Sequence, residues 1–194
     1  ASRFDSHLVG VLKYRLPKIF SARILELYPD RKLNILDLGC GTGLVGAALG
    51  PIEGYFVGVD LSLPMLEEAK KHGVYSRLHH VNLLDALAAT DEAEYEVIVA
   101  ADVFIYLGAL EAAINGAFKV LRPGGHLFFS VEAGPDDGPD FSVEKSMRYT
   151  HARRYIQQLM DGAGFVSTTF EDTDLRMEQN TPIHGLIVSA QKPA

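Results

Sequence analysis

From Asn34 onward the chain alternates short apolar runs with helically spaced apolar residues, the pattern of βα units building a parallel sheet. The runs at 34–38, 55–59, 77–81, 95–100 and 126–131 are too short and too continuous for amphipathic helices, and read as buried parallel strands. Between them, 43–49, 64–71 and 109–121 read as helices, with Pro64 suited to a first turn and Pro123-Gly124 to a stop. The last third changes character. A helix over 151–162 is followed by strands over 165–170 and 183–190, joined by a polar stretch of about a dozen residues with no helix between them. That arrangement predicts an antiparallel pair ending the sheet. Ahead of the sheet, Leu8, Val11 and Leu12, then Ile19, Phe20, Ile24 and Leu27, predict two short helices interrupted by Pro17. Residues 134–140, rich in Gly, Pro and Asp, read as a loop.

A length of 194 residues suits one domain with a full core: a helical segment over 1–30 and an α/β core over 33–194. No apolar run approaches the roughly 18 residues of a membrane span. A net charge of −7, with no block of Lys or Arg to override it, argues against nucleic acid as substrate. Cys40 is the single cysteine, which excludes an intrachain disulfide and, with no charged-then-apolar leader at Ala1, suggests the cytoplasm. The start at Ala1-Ser2-Arg3, without Met, leaves an upstream segment open. The histidines show no metal-ligand spacing, so no metal is expected.

The segment Asp37-Leu38-Gly39-Cys40-Gly41-Thr42-Gly43 follows a strand and opens a helix, where glycines let backbone approach a ligand closely. Asp60 ends the next strand, where its carboxylate can accept hydrogen bonds from ribose hydroxyls. Gly41-Thr42-Gly43-Leu44-Val45-Gly46 also spells the dinucleotide fingerprint, with Asp60 about 20 residues beyond it, so the motif alone permits an NAD-dependent oxidoreductase. Gly39 and Asp37 upstream tell against a pyrophosphate. A carboxylate aimed at the ligand would repel it, and would attract the ammonium and sulfonium of S-adenosylmethionine. A non-catalytic module binding that cofactor is the third reading.

Leu36-Asp37-Leu38-Gly39-Cys40-Gly41-Thr42-Gly43 resembles motif I of class I S-adenosylmethionine-dependent methyltransferases. The stretches Gly58-Val59-Asp60-Leu61-Ser62 with Met65, His80-Val81-Asn82-Leu83-Leu84-Asp85, Ala100-Ala101-Asp102-Val103, and Leu121 to Leu127 resemble that family's later motifs. The resemblance implies a Rossmann-like, doubly wound, seven-stranded sheet of order 3-2-1-4-5-7-6 with strand 7 antiparallel, and turnover of S-adenosylmethionine to S-adenosylhomocysteine. It further implies that Asp60 holds the ribose, that Leu61 and Met65 line the adenine, and that Asn82, where Asp is usual, bonds the adenine amino group through its carbonyl oxygen. Leu83 and Ala100 join the cofactor residues on the same resemblance. Narrower similarity, in Arg3 to Leu8, Leu12 to Pro17 and Arg148 to His151, is to methyltransferases described as carrying tetratricopeptide repeats upstream, repeats this sequence lacks. It implies kinship with small-molecule methyltransferases of the ubiquinone and biotin-pathway type.

Methyl transfer is an in-line displacement at a carbon already activated by sulfonium, so catalysis is largely positioning and exclusion of water. Any base for the acceptor should lie beyond strands four and five at the carboxyl edge of the sheet, and Asp102, Tyr106 and His151 are the candidates. For His151 an exposed capping role is the plainer alternative. Tyr14 and Arg15 are placed to close over the cofactor, with Arg15 meeting its carboxylate. Cys40 reads as a small spacer in the turn rather than a nucleophile. The stretch Asp102-Val103-Phe104-Ile105 lacks the Pro-Pro-aromatic turn of DNA amino-methyltransferases, and no second cysteine stands ready to attack cytosine, which favours a small-molecule acceptor.

Overall fold

The computed structural model describes residues 14–194. Five strands form the parallel part of the sheet: β1 (Ile35–Leu38), β2 (Phe56–Asp60), β3 (Arg77–His80), β4 (Tyr95–Ala100) and β5 (Leu121–Ala133). They stand in the order 3-2-1-4-5, so the chain reverses direction of winding between β1 and β4. In such sheets the crevice beyond the carboxyl ends at the reversal is where ligands bind.

Alternation along the strands divides the core. Ile35, Phe56, Val97, Val99 and Phe128 face α1 (Leu16–Leu27) and α2 (Leu44–Leu49), packing on Phe20, Ile24, Val45 and Leu49. Leu36, Leu38, Ile98, Leu127 and Phe129 face the opposite layer. That layer draws Leu87 from α4 (Leu83–Ala89), Ile114 and Ala117 from α5 (Glu111–Val120), and Ile156 and Met160 from α6 (Arg153–Ala163). Both faces of the central strands are therefore apolar, which is why they read as continuous runs rather than alternating ones. Between β2 and β3, α3 (Leu63–Lys71) begins at Ser62, whose hydroxyl accepts from the Met65 N–H, with a proline in its first turn as expected.

Several expectations are revised. The sheet has nine strands, not seven. The closing antiparallel pair is present as β8 (Val166–Glu178) and β9 (Thr181–Gln191), with β9 antiparallel to β5. The two additional strands are a short hairpin, β6 (Phe141–Val143) and β7 (Tyr149–His151), of which β7 pairs with the end of β5. The polar stretch between 170 and 183 is strand, not loop. A two-residue turn at Gln179-Asn180, with φ of 47° and 62°, closes a long hairpin whose outer positions are polar because they face water. Leu83–Ala89 forms a helix that periodicity left unassigned, and His151 belongs to β7, so the last helix starts at Arg153. Pro17 lies in the first turn of α1, where its missing N–H costs nothing, so the second of the two expected helices begins there. The helix expected from Leu8, Val11 and Leu12 lies outside the described residues. Among the described residues no helix is long and apolar enough to cross a membrane.

Candidate cofactor and acceptor cavity

A cavity of about 850 Å³ opens at the carboxyl ends of β1, β2 and β4. Its floor is Asp37, at 1% exposure. Burial pushes the Asp37 carboxyl up to about 7, against the pull of one hydrogen bond, 2.6 Å, donated by the Tyr75 hydroxyl to Oδ2. The nearby Asp60 charge raises it further, and among the described residues no cation pairs with it. The Tyr75 oxygen in turn accepts from the Gly46 N–H at 3.2 Å, tying the strand's carboxylate to the first turns of α2. This phenol explains the glycine spacing. A Cβ at Gly46 would lie 2.5 Å from the Tyr75 ring, and one at Gly43 or Gly58 would lie 3.0 Å from it. The third glycine of the apparent dinucleotide fingerprint is thus room for Tyr75.

The turn itself passes through left-handed backbone at Gly39 (φ 62°) and Gly41 (φ 56°), and a Cβ at Gly41 would meet nothing within 4 Å, so its backbone is open to a ligand. Cys40 is buried with its thiol held protonated by desolvation, consistent with a spacer. Asp60 is fixed by two backbone donors, Gly41 N–H to Oδ2 and Ser62 N–H to Oδ1, each 2.9 Å. A carboxylate has about four acceptor sites, so both oxygens retain capacity for ribose hydroxyls. Leu61, Met65, Asn82 and Leu83 line the same end. Asn82 caps α4: its Oδ1 accepts from the Asp85 N–H and its Nδ2 donates to the Asp85 carboxylate, both 2.9 Å. The oxygen assigned to the adenine amino group thus already holds one hydrogen bond.

At the other end the cavity is walled by Tyr14, Asp102, Tyr106, Arg148, Arg176 and Glu178. Asp102 follows β4 in left-handed backbone (φ 59°), with its N–H bonded to the Ser130 hydroxyl at 2.8 Å. Both of its oxygens accept from Arg176 Nη1, at 2.7 and 2.9 Å. Arg176, on β8 and 5% exposed, also donates Nε to Glu178 Oε1 at 3.2 Å and approaches Glu132 at 3.4 Å. Arg148, between the short hairpin's strands, donates Nε to Glu132 at 3.2 Å and Nη2 to Glu178 Oε1. Burial raises the Asp102 and Glu132 carboxyls, the guanidinium groups opposing it, whereas the two arginines hold Glu178 below the ordinary carboxylate range.

Twelve of the expected residues wall the cavity, and four do not. Gly43 supports the turn from behind, against Ala69 and Tyr75. Ala100 is fully buried in the core. Arg15 points to Thr173 and Asp174 on β8. His151 is neither exposed nor in the cavity wall: at 0% exposure its Nε2 contacts the carbonyls of Leu107 and Gly108, at 2.9 and 3.0 Å, and desolvation lowers its pKa. Two carbonyl partners require an N–H at Nε2, so the ring is a buried neutral strut. Tyr75, Arg176, Glu132 and Glu178 were missed. Tyr75 had one legible sign, three separated glycines needing a common reason; Arg176 and Glu178 sit on a strand whose polar pattern resembles solvent-facing sequence, and Glu132 lies at the end of an otherwise apolar strand.

Residues 36–127 match the family model described as "Methyltransferase domain". Among curated relatives, a ubiquinone biosynthesis O-methyltransferase of Hydrogenovibrio crunogenus is 30% identical over 101 residues, covering 50% of this chain and 42% of the relative. That of Bartonella tribocorum is 26% identical over 132 residues, covering 66% and 53%. The chain therefore spans about half the length of these relatives. Magnesium protoporphyrin IX methyltransferase of Synechocystis, solved with bound S-adenosylmethionine, superposes with a TM-score of 0.69 at 18% identity, over 92% of this chain and 78% of that one. A methyltransferase structure from Methanosarcina mazei gives 0.67 at 16%, over 88% and 97%. The chain thus has the fold of these S-adenosylmethionine-dependent methyltransferases, and its residues 36–127 match the methyltransferase-domain model.

Proposed function

We propose that this chain transfers a methyl group from S-adenosylmethionine to a small-molecule acceptor, within one domain spanning the sequence. The observation that carries the reading is Asp37, a buried carboxylate on the cavity floor with no cation beside it among the described residues. Such a group is costly unless a ligand supplies the positive charge. The donor set therefore fits a cationic adenosyl cofactor: Asp37 faces the ammonium, Gly39 and Gly41 give backbone access, Asp60 takes the ribose hydroxyls, and Leu61, Met65, Asn82 and Leu83 enclose the adenine. When bound, the cofactor supplies a methyl carbon activated by sulfonium. The chain's own work is to orient it toward the Tyr14, Asp102 and Tyr106 end and to exclude water there. Arg176 anchors Asp102 in that wall through both of its oxygens, each of which keeps a further acceptor site. A cytoplasmic setting goes with the single buried cysteine.

Thermal shift tests the cofactor. S-adenosylhomocysteine should raise the melting temperature and NADH should not. A shift with NADH alone would end the methyltransferase reading. Radiolabelled methyl transfer into a fractionated metabolite extract then tests catalysis; cofactor binding with no transfer would leave a binding module.

A further inference from the structure

The acceptor end contains three carboxylates, Asp102, Glu132 and Glu178, around two guanidinium groups, Arg148 and Arg176. Their commitments differ. Asp102 gives both oxygens to Arg176. Glu132, with its side chain 9% exposed, gives one oxygen to each arginine. Glu178 receives both of its hydrogen bonds, from Arg148 and Arg176, on Oε1 alone. Its Oε2 has no partner among the described residues, and its side chain, 33% exposed, is the most accessible of the three. Two guanidinium groups on one oxygen fix the carboxylate plane, leaving the other oxygen as an acceptor already oriented at the cavity wall.

We propose that Glu178 is the residue that contacts the acceptor, its Oε2 receiving the proton-bearing oxygen or nitrogen that takes the methyl group. The acceptor nucleophile is then a hydroxyl or an amine, not a carboxylate. A carboxylate brings no proton for Oε2 and would enter a cluster where negative charge already exceeds positive. In the step, the nucleophile's lone pair forms the bond to the methyl carbon. The carbon–sulfur bond breaks with its electron pair going to sulfur, and the nucleophile's proton passes to Glu178 and on to water. Because the two arginines keep Glu178 ionised, it does not retain that proton. The proposal rests on the methyltransferase reading and names the acceptor class for that site.

Three probes sharing a benzene ring test it: catechol, benzylamine and benzoate, each assayed with S-adenosylmethionine by release of S-adenosylhomocysteine. Catechol or benzylamine should be turned over and benzoate should not. Glu178→Gln keeps a carbonyl oxygen for the arginines and converts the free acceptor into a donor. It should lower kcat for the accepted probe by roughly 10²-fold, the scale of a lost acid–base group, with S-adenosylhomocysteine affinity within about twofold of wild type. That affinity also reports whether the variant folds, and Glu178→Ala provides a second variant should Gln disturb the cluster. Methylation of benzoate, wild-type kcat in a cofactor-binding Glu178 variant, or no turnover of any probe by a chain that binds the cofactor would each overturn the proposal. Failure to bind S-adenosylhomocysteine at all would instead overturn the parent reading.

Discussion

Replacing Asp37 with Asn tests the cavity floor, because one carboxylate burdens the ligand-free fold and, on the proposed reading, serves a cationic ligand. An Asp in the unfolded chain titrates near 3.9, whereas folding raises Asp37 to about 7. Folding therefore takes up a proton between those values. The contribution to stability is full below about pH 4, is lost as pH rises, and levels off above about pH 7. Between pH 5 and pH 8 the loss is about 2.5 kcal/mol, from about 1.4 kcal/mol per pH unit over the window in which only the unfolded state is ionised. Asn does not titrate and keeps an oxygen for the Tyr75 hydroxyl. Urea denaturation of both proteins at pH 5 and pH 8 should show the wild type losing about 2.5 kcal/mol relative to the variant at the higher pH. Calorimetric titration with S-adenosylhomocysteine should show the converse. Wild-type affinity should rise from pH 5 to pH 7 as the carboxylate ionises beside the ligand's ammonium, while the variant binds weakly with little pH dependence. Parallel stability profiles, or a variant that binds as tightly as wild type at pH 8, would refute the argument.

Tyr75→Phe removes the donor to Asp37 and the acceptor for Gly46; denaturation should show a loss of about 1–3 kcal/mol, and cofactor affinity at neutral pH should fall because Asp37 ionises at still higher pH. Gly46→Ala, at a helical position with ordinary φ, would gain the usual alanine preference in a helix were it not for the 2.5 Å approach to Tyr75; a net loss of about 1–3 kcal/mol in urea would measure that clash, and a gain would remove Tyr75 as the reason for the glycine. Arg176→Ala leaves Asp102 and Glu132 buried without their guanidinium partner, and should cost about 3–5 kcal/mol, read as a melting temperature lower by on the order of 10 °C.

The cofactor half of the cavity was legible because it is local. Asp37, Gly39, Gly41 and Asp60 sit at the ends of consecutive βα turns, where residue type, strand end and helix start lie within a few positions of one another. Even there, sequence assigned the right residues partly for the wrong reason. Gly46 satisfied a dinucleotide pattern, yet its smallness serves a tyrosine 29 positions away that no local window connects to it. His151 fails in the same manner. Its place after a loop suggested an exposed cap, but β7 pairing with β5 carries it inside, where two backbone carbonyls claim its proton.

The acceptor half was legible at Tyr14, Asp102 and Tyr106 and not beyond them, because remote segments build the rest of it: the β6–β7 hairpin and the β8–β9 hairpin. Arg148 and Glu178 lie 30 positions apart, and Asp102 and Arg176 lie 74 apart. In sequence, Asp174, Arg176 and Glu178 look like the solvated face of an exposed strand, and for Asp174 that reading holds. What separates Arg176 from Asp174 is a register shift in the β8–β9 pairing between them, beyond which Arg176 is buried against Asp102 and Glu132. Buried charges of opposite sign must be matched in place and number, so the two hairpins are fixed against each other wherever those five side chains meet. On the proposed reading, the acceptor site is therefore set by how the two hairpins pair with β5, and the cofactor site by the turns of the sheet itself. Changing hairpin length or register should change which acceptor is methylated while leaving cofactor affinity intact.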